Sequence, residues 1–270
     1  MTSETDFLAT RAALDRAARV AHLVVACDFD GTLSPFVSDP ETSRLAPGAR
    51  EALDALAACP STTVLLVSGR DRSTLSRISE IPTESEATGI HLVGQHGSEW
   101  EGEPAALSEV EAALLAEVTA QLEAIALPHE GAFVEYKPSS AVLHVRSLPR
   151  ADDRERLLSL ALEGPASLEG VFTTEGKSVL ELAVREASKG AALQTFRERA
   201  GADAVVFFGD DVTDEKGFAV LGPAHGGSDL DVGVKVGDGP TAAAYRVASI
   251  DEVVASLRHL ASARGVSQPD

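Results

Sequence analysis

Short runs of uninterrupted apolar residues, each closing on a polar cluster, organise the first part of the chain. Leu23-Val24-Val25-Ala26-Cys27 leads into Asp28-Phe29-Asp30-Gly31-Thr32, Thr63 to Val67 into Ser68-Gly69-Arg70, and Ile90-His91-Leu92-Val93 into Gly94-Gln95-His96-Gly97. Apolar runs without alternation predict strands covered on both faces, as in parallel sheets. Residues 6–20 and 47–58 instead repeat their apolar positions at helical spacing, and Pro47 is expected at the first position of the second helix. Helices between such strands predict βαβ units, whose ligands bind beyond the carboxyl ends of the strands. The pattern returns late in the chain, with a helix over 189–200 and an apolar run, Ala204 to Phe208, that ends at Gly209-Asp210-Asp211.

Between these two stretches the texture changes. A long Ala/Leu/Glu helix pattern (Leu107 to Ala126) precedes Ala132 to Lys137 and an alternating segment, Ala141 to Arg146; a helix near 152–162 and strands around 171–172 and 178–183 follow. Alternation predicts half-buried strands with one polar face. The expected architecture is α/β: a doubly wound, Rossmann-like parallel-sheet core of residues 1–102 and 184–270, interrupted by an α+β insert over 103–183.

Composition narrows the partners. With 23 basic and 42 acidic residues among 270, the formal charge is −19. That field repels nucleic acid and anionic membrane surfaces, so an anionic substrate needs a local cluster of cations or a metal. Two cysteines without pairing or metal spacing, Cys27 and Cys59, read as buried thiols in a reducing compartment. No run is long enough for a membrane span and the N-terminus has no signal-peptide pattern, so the expected location is the cytoplasm. The expected state is a monomer.

The chemistry concentrates at strand ends. Asp28 and Asp30 flank one residue at a strand-to-loop transition, where one carboxylate can attack phosphorus and its neighbour can serve as general acid and base. Gly31 permits a sharp turn that frees N–H groups, with Thr32, for phosphate oxygens. Four carboxylates in Asp210-Asp211-Val212-Thr213-Asp214-Glu215 repel one another unless a cation joins them, and an all-oxygen set selects Mg²⁺. Ser68 and Lys189 taken singly read as a cap and a surface residue; only the constellation promotes them. Gly176-Lys177-Ser178 imitates the end of a nucleotide P-loop, but Val171 stands where the first glycine belongs and a strand follows.

In order, these segments resemble the four motifs of the haloacid dehalogenase superfamily, and the finer features resemble the trehalose-6-phosphate phosphatases. The latter include Ser68-Gly69-Arg70, Gly94 to Glu99, Glu135-Tyr136-Lys137, His144, Arg146, Gly176 to Glu181 and Lys189-Gly190. The resemblance implies Asp28 as nucleophile, Asp30 as acid and base, and Lys189 as charge partner, with Asp28, Thr32, Ser68, Gly69 and Lys189 on the phosphate. It implies Mg²⁺ held by Asp28, the Asp30 carbonyl and Asp210, supported by Asp214 and Asp211. The insert would be a cap that reads the sugar through Glu135, Lys137, His144, Arg146, Lys177 and Glu181, joined by Arg70 and His96. Two departures stand out: Gln95 replaces the family's usual Asn, and Ala183-Val184 replace a basic-Pro pair. The implied substrate is trehalose 6-phosphate, with a functional link to a synthase of that ester. Sucrose phosphate, mannosylglycerate phosphate and a catalytically silent phosphosugar-binding module are the alternatives. His144 and Arg146, two apart on a strand, are expected to share one face, as are Glu135 and Lys137. Without the resemblance each pair reads equally as a solvated face.

Overall fold

The computed structural model describes residues 4–101, 107–176 and 178–266, and its contacts divide the chain into two compact units: Met1–Gly102 with Ser188–Asp270, and Glu103–Ala187. In chain order the first unit begins with α1 (Glu4–Ala17), β1 (Leu23–Cys27), α2 (Ala49–Ala57), β2 (Thr62–Val67), α3 (Arg72–Ser79) and β3 (Ile90–Val93). The second unit contributes α4 (Glu109–Ala126), β4 (Phe133–Tyr136), β5 (Ser140–His144), α5 (Ala151–Glu163), β6 (Phe172–Gly176) and β7 (Val179–Ala183). The first unit resumes with α6 (Lys189–Ala200), β8 (Ala204–Gly209), α7 (Glu215–Ala219), β9 (Val232–Val236), β10 (Tyr245–Val247) and α8 (Ile250–Val266).

In the first unit six strands form one sheet in the order β10-β9-β8-β1-β2-β3, every pair parallel. Alternate residues of β1 point to opposite faces. Leu23, Val25 and Cys27 pack with α1, α2, α3 and α8, whereas Val24 and Ala26 pack with Leu193 and Phe196 of α6 and Phe218 of α7. Helices therefore cover both faces, which is the doubly wound α/β core expected from the apolar runs. Arg264, buried near the end of α8, donates to the carbonyls of Ala18, Val20 and Ser61 and ties that helix to the entry loops of β1 and β2.

In the second unit β4-β5-β7-β6 form an antiparallel sheet. Ala141, Leu143, Leu180 and Leu182 pack on Val118 and Leu122 of α4 and Leu157 and Ala161 of α5. A capping box between Ser108 and Glu111 starts α4, and Arg185 grips the same Glu111 carboxylate at 2.7 Å. That ion pair joins Arg185 to the second unit, which runs to Ala187 rather than to residue 183.

Local expectations need correcting in four places. Pro47 lies outside α2, because Gly48, at φ 80°, is its N-cap and the helix starts at Ala49. β5 ends at His144, so Arg146 follows the strand rather than sharing its face. β6 and β7 run over Phe172–Gly176 and Val179–Ala183, a longer first strand than expected. Cys27 is buried, but Cys59 is half-buried at the end of α2.

Candidate active site

Four loops converge beyond the carboxyl ends of β1, β2, β3 and β8. Asp28 directly follows β1, and its N–H donates to the Phe208 carbonyl of β8 at 2.9 Å, prolonging the ladder by one residue. Gly31 takes φ 84° in the turn that follows, and a Cβ there would overlap the Asp210 carboxylate. Only glycine satisfies both demands. The neighbouring Thr32 is buried and its hydroxyl donates to Asp210 Oδ1 at 3.4 Å.

Lys189 is the first residue of α6, a helix capped by Ser188 Oγ, which accepts from the Ala191 N–H at 3.1 Å. Its Nζ donates to Asp28 Oδ1 at 2.7 Å and to Asp214 Oδ1 at 2.6 Å, with 2% of the lysine exposed. Burial pushes the Asp28 and Asp214 carboxyls up, to about 7, against the pull of Lys189. Burial opposes the ammonium as well, but the two carboxylates outweigh it and hold the Lys189 pKa above the usual lysine range. The other oxygen of Asp214 accepts from the N–H groups of Asp210 and Asp211 at 2.8 and 2.9 Å, so this buried carboxylate shapes its own loop.

One carboxylate oxygen from each of Asp28, Asp210 and Asp214 lies within 4.8 Å of the others. Asp211 is not in that group: its Oδ1 accepts from the Thr213 N–H and hydroxyl at 2.8 and 2.7 Å. Nor is the Asp30 carboxylate. It pairs with Arg70, Nε to Oδ2 at 2.7 Å and Nη2 to Oδ1 at 2.8 Å.

The β2 and β3 loops are stitched together by backbone bonds from His96 N to Ser68 O at 2.9 Å and from Gln95 N to Arg70 O at 2.8 Å. Ser68 is buried, and its hydroxyl accepts from the Arg70 N–H at 3.2 Å. Gly69 lies against the His96 ring, where any side chain would overlap the imidazole. Gln95 and His96 both adopt left-handed backbone, φ 46° and 55°.

The second unit carries its own polar face. His144 Nε2 meets Glu135 Oε2 at 2.8 Å, and the imidazole stacks on Phe133 with ring centroids 4.5 Å apart. Lys137 Nζ reaches both oxygens of Glu181 at 3.0–3.1 Å, and Ser140 Oγ donates to Glu181 at 2.6 Å. Glu135, His144 and Glu181 share the sheet face opposite α4 and α5, which the strand register dictates. Arg146 is exposed beyond β5, and Lys177 lies outside the described residues.

Residues 26–251 match the family model described as trehalose-phosphatase. The chain belongs to the trehalose-phosphatase family. It is 29% identical over 238 residues to the trehalose-6-phosphate phosphatase of Escherichia coli (strain K12), covering 87% of this chain and 85% of that one. It is 37% identical over 205 residues to an uncharacterized glycosyl hydrolase of Mycobacterium tuberculosis (strain CDC 1551 / Oshkosh), a match that takes 71% of this chain and 15% of the relative's length. In fold it resembles the trehalose-6-phosphate phosphatase of Aspergillus fumigatus, with a TM-score of 0.68 over 93% of this chain and 97% of that one at 24% identity.

Two residues of this trehalose-phosphatase family member escaped the motif reading. Lys235 of β9 is buried and its ammonium donates to the Asp210 carbonyl. A lysine inside Val-Gly-Val-Lys-Val was a legible signal, because a charge in a covered strand needs a partner. Ser43 is also buried, donating to Asp30 Oδ1 at 3.2 Å and meeting Ser34 Oγ at 2.7 Å. Nothing in its sequence context marks it.

Proposed function

We propose that this chain hydrolyses trehalose 6-phosphate to trehalose and inorganic phosphate through an aspartyl-phosphate on Asp28. The observation that carries the reading is the Asp28–Lys189–Asp214 cluster at the strand ends of a trehalose-phosphatase family member. In the first half, an Asp28 oxygen attacks phosphorus and the bond from phosphorus to the sugar oxygen breaks. Asp30 gives its proton to that oxygen, so the sugar leaves as an alcohol. In the second half, water attacks phosphorus and gives a proton to Asp30. The acyl-phosphate bond breaks, restoring the Asp28 carboxylate and releasing phosphate. Lys189 and the Ser68 hydroxyl supply donors for phosphoryl oxygens, whereas the N–H groups of Gly31, Leu33 and Ser34 are already spent on carbonyls within the turn. The second unit is the cap in this reading, with Glu135, Lys137, His144 and Glu181 supplying paired donors and acceptors for sugar hydroxyls.

A divalent cation suits the donor set of Asp28, Asp210 and Asp214. It is all oxygen, clustered within 4.8 Å and buried enough that its carboxyls resist ionising together. Mg²⁺ bound by these residues and the Asp30 carbonyl would draw charge from a phosphoryl oxygen. Phosphate release from pure trehalose 6-phosphate, sucrose 6-phosphate and mannosylglycerate phosphate, each with Mg²⁺ and with EDTA, tests the proposal. Turnover of the trehalose ester well above the others, abolished by EDTA, is expected. Preference for another sugar phosphate, or full activity in EDTA, would overturn the substrate or the metal assignment respectively.

A further inference from the structure

We propose that Arg70 is a positioning residue for Asp30 rather than a contact for the sugar: its guanidinium fixes the orientation in which Asp30 exchanges a proton with the leaving oxygen. The inference rests on the hydrolytic reading above. All three guanidinium nitrogens already have protein partners, Nε and Nη2 on the two Asp30 oxygens and Nη1 on the Pro40 carbonyl at 3.0 Å. The guanidinium carbon also sits 6.0 Å from the Phe29 ring centroid, and the side chain is 17% exposed. Three of its five N–H groups, including the fork that faces Asp30, are engaged in this way and so are not open to a hydroxyl.

The fork matters because of what it does to Asp30. A carboxylate held through both oxygens by a planar donor cannot rotate about its last torsion, and the Ser43 hydroxyl on Oδ1 adds a third restraint. The two acidic side chains of Asp28-Phe29-Asp30 are thereby divided between different cations, Lys189 for the first and Arg70 for the second. Asp28 stays in the cluster with Asp210 and Asp214, whereas Asp30 is held apart from it. Proton transfer needs the donor oxygen within hydrogen-bond reach of its target, so loosening Asp30 costs rate even where every other group remains.

Leaving groups separate this role from others. A sugar oxygen must be protonated as it departs, whereas p-nitrophenolate leaves as a stable anion and needs no acid. The value of kcat/KM reports the first phosphoryl transfer and excludes the later water step. Arg70→Met should lower kcat/KM for trehalose 6-phosphate by about 10- to 100-fold, part of what a general acid supplies, and for p-nitrophenyl phosphate by no more than about 3-fold. Arg70→Lys, which keeps the charge but cannot form the fork, should fall between wild type and Arg70→Met. The double variant Arg70→Met/Asp30→Asn should be no slower on trehalose 6-phosphate than Asp30→Asn alone, because both changes disable one proton transfer. A merely structural role would slow both esters alike. Equal losses on both esters would overturn the assignment by making Arg70 a structural or phosphate-contacting residue, and losses that multiply in the double variant would overturn it by making Arg70 a sugar contact in its own right. Wild-type protein that hydrolyses neither ester would overturn the hydrolytic reading together with this one.

Discussion

Lys189 and Asp28 meet at 2.7 Å with 2% and 6% of their side chains exposed, although 161 residues separate them in the chain. A pair so buried is costly to break, because removing one partner strands the other charge. Lys189→Met should therefore destabilise the metal-free protein by about 3–5 kcal/mol and abolish turnover. Asp28→Asn keeps the shape and removes the proposed nucleophile, so it should lose at least about 10³-fold in kcat while still folding. Urea melts beside single-turnover rates would check both, and retained activity in Asp28→Asn would exclude an aspartyl-phosphate.

A second prediction concerns metal and pH together. Folding raises the pKa of the Asp28 and Asp214 carboxyls to about 7, above their values of about 3.9 in the unfolded chain. Between those limits the folded metal-free protein binds more protons than the unfolded one, so these two groups make stability fall as pH rises. His91 and His96, whose pKa values partial burial lowers, act in the opposite sense near the upper end of the window. They titrate with or without metal, so the difference between the two conditions isolates the carboxylates. Mg²⁺ requires them ionised. The rise in Tm on adding Mg²⁺ should therefore grow steadily from about pH 5 to pH 8 by calorimetry. A Mg²⁺ effect independent of pH would place the ion elsewhere.

The parallel core was legible because covered strands read as unbroken apolar runs, and the Asp28 and Asp210 clusters were legible because they close such runs. Pairings were not. Nothing local says that Arg70 would seek Asp30, 40 residues away, or that Lys137 would find Glu181, 44 residues away; strand register and loop packing decide both. The alternation over 141–146 continues after β5 has ended, which is why the pattern places Arg146 on a face it does not share. Lys235 was visible as an anomaly, but only the register of Lys235 against Gly209 explains it, by bringing its ammonium to the Asp210 loop.

Gln95 offers a stability test. At φ 46° it occupies left-handed backbone, which asparagine tolerates better than glutamine; its side chain is exposed, while its backbone N–H donates to the Arg70 carbonyl and its carbonyl accepts from Ser98. Gln95→Asn should stabilise the protein by about 0.5–1 kcal/mol, a fraction of the usual cost of that conformation. The urea midpoint should rise with no change in slope. A lower midpoint would mean that the glutamine side chain makes a compensating contact.

The polar face of the second unit yields the prediction that bears most on specificity. Glu181 accepts from Lys137 and Ser140, and Glu135 faces His144, so each acceptor already has a matched donor held by the sheet. A sugar entering such a face can exchange hydroxyls into those pairs without leaving a charge unmatched. Binding energy from the sugar, remote from phosphorus, lowers the barrier only if it is realised in the transition state. Glu181→Ala should therefore cut kcat as well as kcat/KM for trehalose 6-phosphate, the latter by roughly 10- to 150-fold, the worth of a hydrogen bond to a charged group. Lys137→Ala should act in the same direction, and the double variant should fall short of the product of the two, because each deletion already breaks the shared ion pair. Hydrolysis of p-nitrophenyl phosphate, which has no sugar, should change little in any of them. Equal losses on both esters would instead make these residues supports of the fold, and recognition of the disaccharide would have to be sought elsewhere in the chain.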